Sequence, residues 1–152
     1  ALVHRILNEL EDQSTLDISQ LLHELSHQIA GGMSGEHVRI EVDVESRVVS
    51  GNVAVALALF TVEALTNIFK HAFPGGKQGV IRVSLTSVPG GRLKLAIADD
   101  GIGFSLDETD KSVGSRLIKT FGLQLGGISS VRSDPGSGTV VELVFPDPDS
   151  SS

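Results

Sequence analysis

Residues 53–76 read VAVALALFTVEALTNIFKHAFPGG, and the organisation of the chain follows from them. Apolar side chains fill every position from 53 to 60, which predicts a helix buried on all sides in that half. A polar stripe then emerges. Glu63, Asn67 and Lys70 stand at i, i+4 and i+7, with Thr66 and His71 at the stripe's edges. Pro74, Gly75 and Gly76 stop the helix, so its expected span is residues 53–72. Two readings of the stripe are open at this level. It is either a solvent face exposed as the helix leaves the core, or a carboxylate, an amide and an ammonium lining an interior cleft that suits a metal–phosphate ligand.

On the N-terminal side, residues 37–44 alternate, with Val38, Ile40, Val42 and Val44 opposite Arg39, Glu41 and Asp43, as a half-buried strand does. Before them, Asp17 opens a helix with Ile18, Leu21, Leu22, Leu25 and Ile29 on its apolar positions, ended by Gly31 and Gly32. Leu2, Ile6 and Leu10 form a further helical stripe within residues 2–11. On the C-terminal side, strands around Ile81, Val83, Leu85 and around Leu93, Leu95, Ile97 flank Pro89-Gly90-Gly91 as a hairpin would. A polar stretch at residues 101–111, a helix at about 112–125 and strands at 128–132 and 139–145 complete the order. The fold class this order predicts is α/β, a two-layer α/β sandwich with a mixed, mostly antiparallel sheet covered on one face by helices.

The 152 residues suit one domain, with 40% hydrophobic and 20% charged residues as in an ordinary globular protein. Lys and Arg number 12 against 19 Asp and Glu, a net charge of −7, so the protein's field disfavours nucleic acid and anionic membrane surfaces as partners. The longest uninterrupted apolar run, residues 53–60, falls far short of a spanning segment. There is no cysteine, which removes thiolate chemistry and is compatible with a reducing compartment. The first residue is Ala, so the chain reads as a piece of a longer one, with residues 146–152 as a frayed polar tail.

The strand phase adds a second polar feature. Leu93, Leu95, Ile97 and Asp99 share one face, so Asp99 points inward at a strand end, where a carboxylate must be hydrogen-bonded. Gly101-Ile102-Gly103 follows, a backbone free to turn and to admit a ligand at close range. On the last strand Thr139 shares the face of Val141, Leu143 and Phe145, directly after Gly136-Ser137-Gly138.

Three familiar motifs fail. Gly76-Lys77 is followed by Gln78 and preceded by His71 where a phosphate-cradling loop needs Ser or Thr and Gly, and position 106 is Leu where a dinucleotide fingerprint needs its third Gly. His23-Glu24-Leu25-Ser26-His27 has the spacing of a zinc helix, yet both histidines lie opposite the Ile18, Leu22, Leu25, Ile29 stripe, and positions 30 and 33 are Ala and Met. That motif reads as a solvated face.

Residues 63–74 resemble the N box of the GHKL ATPases, the group of gyrase, the heat-shock chaperone, histidine kinases and mismatch-repair ATPases. Asp99-Asp100-Gly101-Ile102-Gly103-Phe104 resembles their G1 box, residues 112–118 with Gly114 a G2 box closing the ATP lid, and Gly136-Ser137-Gly138-Thr139 the late glycine–threonine element. The run HAFPGG, the short lid and Gln124-Leu125-Gly126-Gly127 are most similar to catalytic domains of bacterial sensor histidine kinases of the HisKA_2 type, related to the HWE group, although the Trp that names the latter is absent. Residues 1–14 then resemble the tail of a dimerisation helix or linker, and residues 15–146 the ATP-binding catalytic domain.

This resemblance implies the Bergerat fold and an ATP site with Mg2+. Asn67 would hold the metal with phosphate oxygens and water, a ligand set that suits a small hard cation. By the same similarity Asp99 accepts from the adenine amino group, Thr139 supports that contact, and Gly101 and Gly103 shape the adenine floor. Gly114 and Ser115 meet the phosphates at a helix start, Lys70 neutralises phosphate charge, and His71 sits beside the nucleotide. Glu63 orients or deprotonates the nucleophile. The G2 region departs from the pattern in offering one glycine, and Asp107, Glu108 and Asp110 place negative charge in the lid.

The expected function is phosphoryl transfer from Mg-ATP to a histidine outside this chain, because His4 precedes Glu63 too closely for a two-helix hairpin to intervene. The partners so implied are ATP, the acceptor-histidine dimerisation domain of the parent chain and a downstream response regulator, in a cytoplasmic setting, with a homodimeric full-length protein. Alternatives are a non-catalytic phosphotransfer or scaffold relative and an anti-sigma-type protein-serine kinase.

Overall fold

Asp17 caps the first helix as its position suggests, its carboxylate accepting from the Ser19 N–H at 2.8 Å. A computed structural model describes residues 15–32, 38–73, 78–103 and 113–147, with the side chains of 113–117 outside that description. The proposed helix at residues 2–11 and most of the polar stretch before residue 113 lie outside the described residues.

The elements run β1 (Thr15–Asp17), α1 (Ile18–Gly32), β2 (Val38–Val44), β3 (Val48–Ser50), α2 (Gly51–His71), β4 (Gly79–Val88), β5 (Arg92–Asp99), α3 (Val113–Gln124), β6 (Ile128–Asp134) and β7 (Gly138–Pro146). Five strands form one sheet in the order β2-β4-β5-β7-β6. β2 pairs with β4 in parallel, and every other pairing in that sheet is antiparallel. This is the mixed two-layer sandwich the sequence predicts.

Alternation explains the core. Ile81, Val83 and Leu85 on β4, Leu93, Leu95 and Ile97 on β5, and Val141, Leu143 and Phe145 on β7 are all buried on one sheet face. Against them pack Leu21, Leu22 and Leu25 of α1, Leu57, Phe60, Leu65 and Ile68 of α2, and Ile118 of α3. The other face carries crossed ion pairs, Arg82 with Glu41 and both Arg132 and Lys94 with Glu142, which is how an uncovered antiparallel face meets water.

Three expectations change. The apolar half of α2 is not buried all round, because Val53, Val55 and Leu59 are only partly covered. α1, α3 and the sheet surround the helix without enclosing it. By length and composition α2 could also cross a membrane, although about half of that segment is buried within the domain. Finally, Pro146 and Asp147 are not part of a frayed tail. Pro146 ends β7, Asp147 donates its N–H to the Gly91 carbonyl at 2.9 Å, and its carboxylate pairs with Arg47 at 3.2 Å.

Ser50 supplies the cap of α2, its hydroxyl accepting from the Val53 N–H at 3.3 Å. Ser50→Ala is therefore expected to destabilise the domain by about 1 kcal/mol with little change in the sheet. Chemical denaturation followed by circular dichroism checks this, and an unchanged midpoint would show that the cap is not stabilising.

Candidate functional site

Strand β5 delivers Asp99 to the rim of the core, with its side chain only 7% exposed. Its Oδ1 accepts from the Gly101 N–H at 2.8 Å. Its Oδ2 is buried and has no hydrogen-bond partner among the described residues. Burial pushes the carboxyl above its ordinary range, opposed by the backbone N–H groups of Gly101 and Thr139 and reinforced slightly by the charge of Asp100. Asp100, one residue on and therefore on the opposite side, does a structural job: its Oδ1 accepts from the Val80 N–H at 2.8 Å.

The backbone after Asp99 is wedged between two elements. Ile102 donates its N–H to the Ala72 carbonyl at the end of α2 (3.0 Å), and its own carbonyl accepts from Gly136 in the β6–β7 turn (2.6 Å). A Cβ on Gly101 would collide with the Ala72 carbonyl, and one on Gly103, where φ is +66°, with the Asp134 carbonyl. Gly138, at φ +79°, passes so close to Asp99 that a Cβ there would meet the Asp99 carbonyl oxygen. These glycines are required by contact as well as by backbone angle.

Register sets the neighbours of Asp99. Thr139 lies opposite it on β7, and Ser133 lies opposite Thr139 on β6. Ser133 Oγ is 2.8 Å from Thr139 Oγ1 and 3.2 Å from the Gly138 carbonyl oxygen, to which it donates. A row of carboxylate and two hydroxyls thus crosses three strands, all buried. Sequence reasoning found Asp99 and Thr139 but missed Ser133. Its signal is the alternation of β6, in which Ser129, Val131 and Ser133 turn inward and Ser133 is the most buried of them.

Helix α2 ends against this wedge, so its polar stripe runs away from Asp99 along the helix axis. From Ala72, Asn67 is about 7.5 Å and Glu63 about 13.5 Å back at 1.5 Å per residue. Glu63, Thr66 and Asn67 are half-buried, whereas Lys70 and His71 are exposed in the last turn, where cations complement the helix dipole. The stripe is thus neither a plain solvent face nor wholly interior. Gly114 and Ser115 fall in the first turn of α3, which packs beside α2 through the buried Ile118. His23 and His27 are exposed with their rings stacked at 6.5 Å, and no group of three or more metal-ligating side chains occurs among the described residues.

Comparison with known proteins matches residues 52–149 to the family described as histidine kinase-, DNA gyrase B-, and HSP90-like ATPase. Among curated relatives, the sensor histidine kinase LiaS of Bacillus subtilis (strain 168) is 31% identical over 72% of this chain and 29% of its own length. Blue-light-activated histidine kinase 2 of Erythrobacter litoralis (strain HTCC2594) is 28% identical over 72% of this chain and 32% of its own. The chain thus spans about a third of either relative. Among solved structures, the histidine kinase domain of the Erythrobacter litoralis EL346 blue-light activated histidine kinase superposes with a TM-score of 0.80 at 24% identity, covering 89% of this chain and 63% of that one.

Proposed function

Because the chain belongs to the family of histidine kinase-, DNA gyrase B-, and HSP90-like ATPases, we propose that it is the ATP-binding catalytic domain of a cytoplasmic sensor histidine kinase. In this reading it binds Mg-ATP and passes the γ-phosphoryl group to a histidine in the dimerisation domain of its parent protein, for onward transfer to a response regulator. The observation that carries the proposal is the buried Oδ2 of Asp99, without a partner among the described residues, beside glycines at which a Cβ would collide with backbone. A buried carboxylate oxygen without a donor is costly, and an exocyclic amine supplies the donor it lacks. Gly101 and Gly103 would form the floor under that base.

The phosphates would then lie along α2. Asn67 offers a neutral amide oxygen for Mg2+, and Lys70 and His71 stand one turn nearer the wedge to meet negative charge. Gly114 and Ser115 present backbone N–H groups of a helix start, a natural anion site. Mg2+, when bound, neutralises part of the triphosphate charge. Glu63 lies one turn before Asn67 on the same stripe, where its carboxylate would orient the acceptor imidazole and take the proton released as nitrogen bonds to phosphorus and the β-phosphate oxygen leaves. Transfer of this kind depends on positioning, so the domain alone lacks the nucleophile that completes it.

Calorimetric titration with ATP tests the reading directly, and suits a chain with no Trp or Tyr. Saturable binding in magnesium is expected, with Asn67→Ala losing the magnesium-dependent part of the affinity and keeping its fold. With γ-labelled ATP the chain alone should form no acid-labile phosphohistidine. Adding the parent's acceptor-helix domain should restore labelling, and Glu63→Gln should abolish it again. Unchanged affinity of Asn67→Ala in magnesium, or strong labelling of His4 in the chain alone, would overturn the assignment.

A further inference from the structure

Helix α1 carries a pair of side chains for which the nucleotide reading has no use. His23 and His27 stand one turn apart on its exposed face, their rings 6.5 Å apart centre to centre and inclined by 23°. The opposite face, with Ile18, Leu21, Leu22 and Leu25, is buried in the core, so the helix is held from behind and the pair is kept toward water. Among the described residues neither ring takes part in a hydrogen bond or an ion pair, so no described partner competes for their ring nitrogens.

As a hydrolase motif this spacing fails, because that chemistry needs a third protein ligand and a cleft. A surface chelate needs less. A metal–nitrogen bond of about 2.1 Å puts each ring centre roughly 3.2 Å from the cation, so two rings on one cation stand about 5–6 Å apart. The observed separation exceeds this by about 1 Å, which rotation about the side-chain bonds of two exposed residues closes. Magnesium, a hard cation served by oxygen, is the wrong ion for such a pair, whereas imidazole suits zinc and nickel. The net charge of −7 draws cations to the surface, and the exposed Glu24 adds to that field locally. We propose that His23 and His27 form a surface site for one late first-row divalent cation of the zinc and nickel class, with water completing its coordination. The cation clips two successive turns of α1. This site is independent of the nucleotide reading above.

Calorimetric titration of the whole chain with Ni2+ and with Zn2+, in a buffer that does not chelate them, tests the proposal. One equivalent should bind, and Mg2+ should not compete for it. His23→Ala and His27→Ala should each weaken binding by roughly tenfold or more, since the second ring of the parent acts at a high effective concentration. Both residues are exposed, so the variants should keep the parent's circular dichroism, and His23→Gln and His27→Gln give the same comparison if they do not. Within His27→Ala, the further change Gln28→His returns an imidazole at i+5, well round the helix from His23, and should leave affinity at the single-ring level. Ni2+ at about 1 mM should raise the parent's melting midpoint by about 2–4 °C and leave the alanine variants unmoved, because a cation held by two turns favours the folded helix. ATP affinity in magnesium should be the same in His23→Ala as in the parent. Parent-like metal affinity in either alanine variant or in the Gln28→His double variant, or one cation bound per two chains, would overturn the proposal and leave the nucleotide reading standing.

Discussion

Asp99→Asn is expected to weaken ATP binding at least tenfold while leaving the nucleotide-free domain no less stable at neutral pH. The substitution keeps the shape and the oxygen that accepts from Gly101, but puts an NH2 where Oδ2 now waits for a donor. Donor would then face donor across the base, a mismatch of about 1–3 kcal/mol in a buried site. Preference for ATP over GTP should shrink with it. Stability moves the other way for a separate reason. The folded carboxyl is pushed up by burial, so its contribution to stability is present below the unfolded value of about 3.9 and is lost as pH rises through the folded one. The variant, having nothing to ionise, should gain on the parent as pH rises from about 4 to 7. Denaturation midpoints at the two pH values, followed by circular dichroism, check the sign. Parent-like ATP affinity in Asp99→Asn would remove the pocket assignment altogether.

Gly103→Ala is expected to be among the most damaging single-methyl additions at the described glycines, costing about 3 kcal/mol or more. Its Cβ would be driven into the Asp134 carbonyl at a left-handed φ of +66°, and backbone cannot step aside as a flexible side chain can. Gly136 is the control: φ is +83°, yet no atom of the described residues lies within 4 Å, so Gly136→Ala should show the backbone strain alone, about 1 kcal/mol. Gly31 in α1 has open space and no left-handed angle, and Gly31→Ala should stabilise by about 0.5–1 kcal/mol. Thermal melts of the three variants rank these effects. If Gly103→Ala and Gly136→Ala melt together, the wedge between α2 and the β6–β7 turn is looser than its contacts imply.

What the sequence made legible was whatever local periodicity carries. The inward phase of Asp99 followed from Leu93, Leu95 and Ile97, and the end of α2 from Pro74 and its glycines. Two of the GHKL-like boxes, those at Asp99–Gly103 and Gly136–Thr139, meet because the sheet brings β5 and β7 side by side. What stayed hidden depends on partners distant in sequence. β1 and β3 are three residues each, too short to alternate, and pair with each other across α1. Arg47 and Asp147 read as ordinary surface charges until the fold brings them together, so the sequence places the start of the tail too early. Half-burial along α2 is not legible in the sequence, because an apolar run reports what a helix could bury, whereas neighbours decide what it does bury. Ser133 was hidden for a simpler reason: a serine in a strand is commonplace, and only its 2.8 Å contact with Thr139 distinguishes it.

The one parallel pairing in the main sheet, β2 with β4, has a consequence for how the domain assembles. The β4–β5 and β6–β7 hairpins can close early, since few residues separate their strands. β2 must wait until α2 has formed and turned the chain back, because its partner lies beyond that whole helix. The β5–β7 pairing spans at least as long a stretch of chain, closed through α3, so both long-range pairings of the sheet depend on a helix that turns the chain back. The helix that carries Glu63, Asn67 and Lys70 is thereby also the tether between β2 and β4, so the step that docks it on the sheet sets the polar stripe in place together with that strand pair.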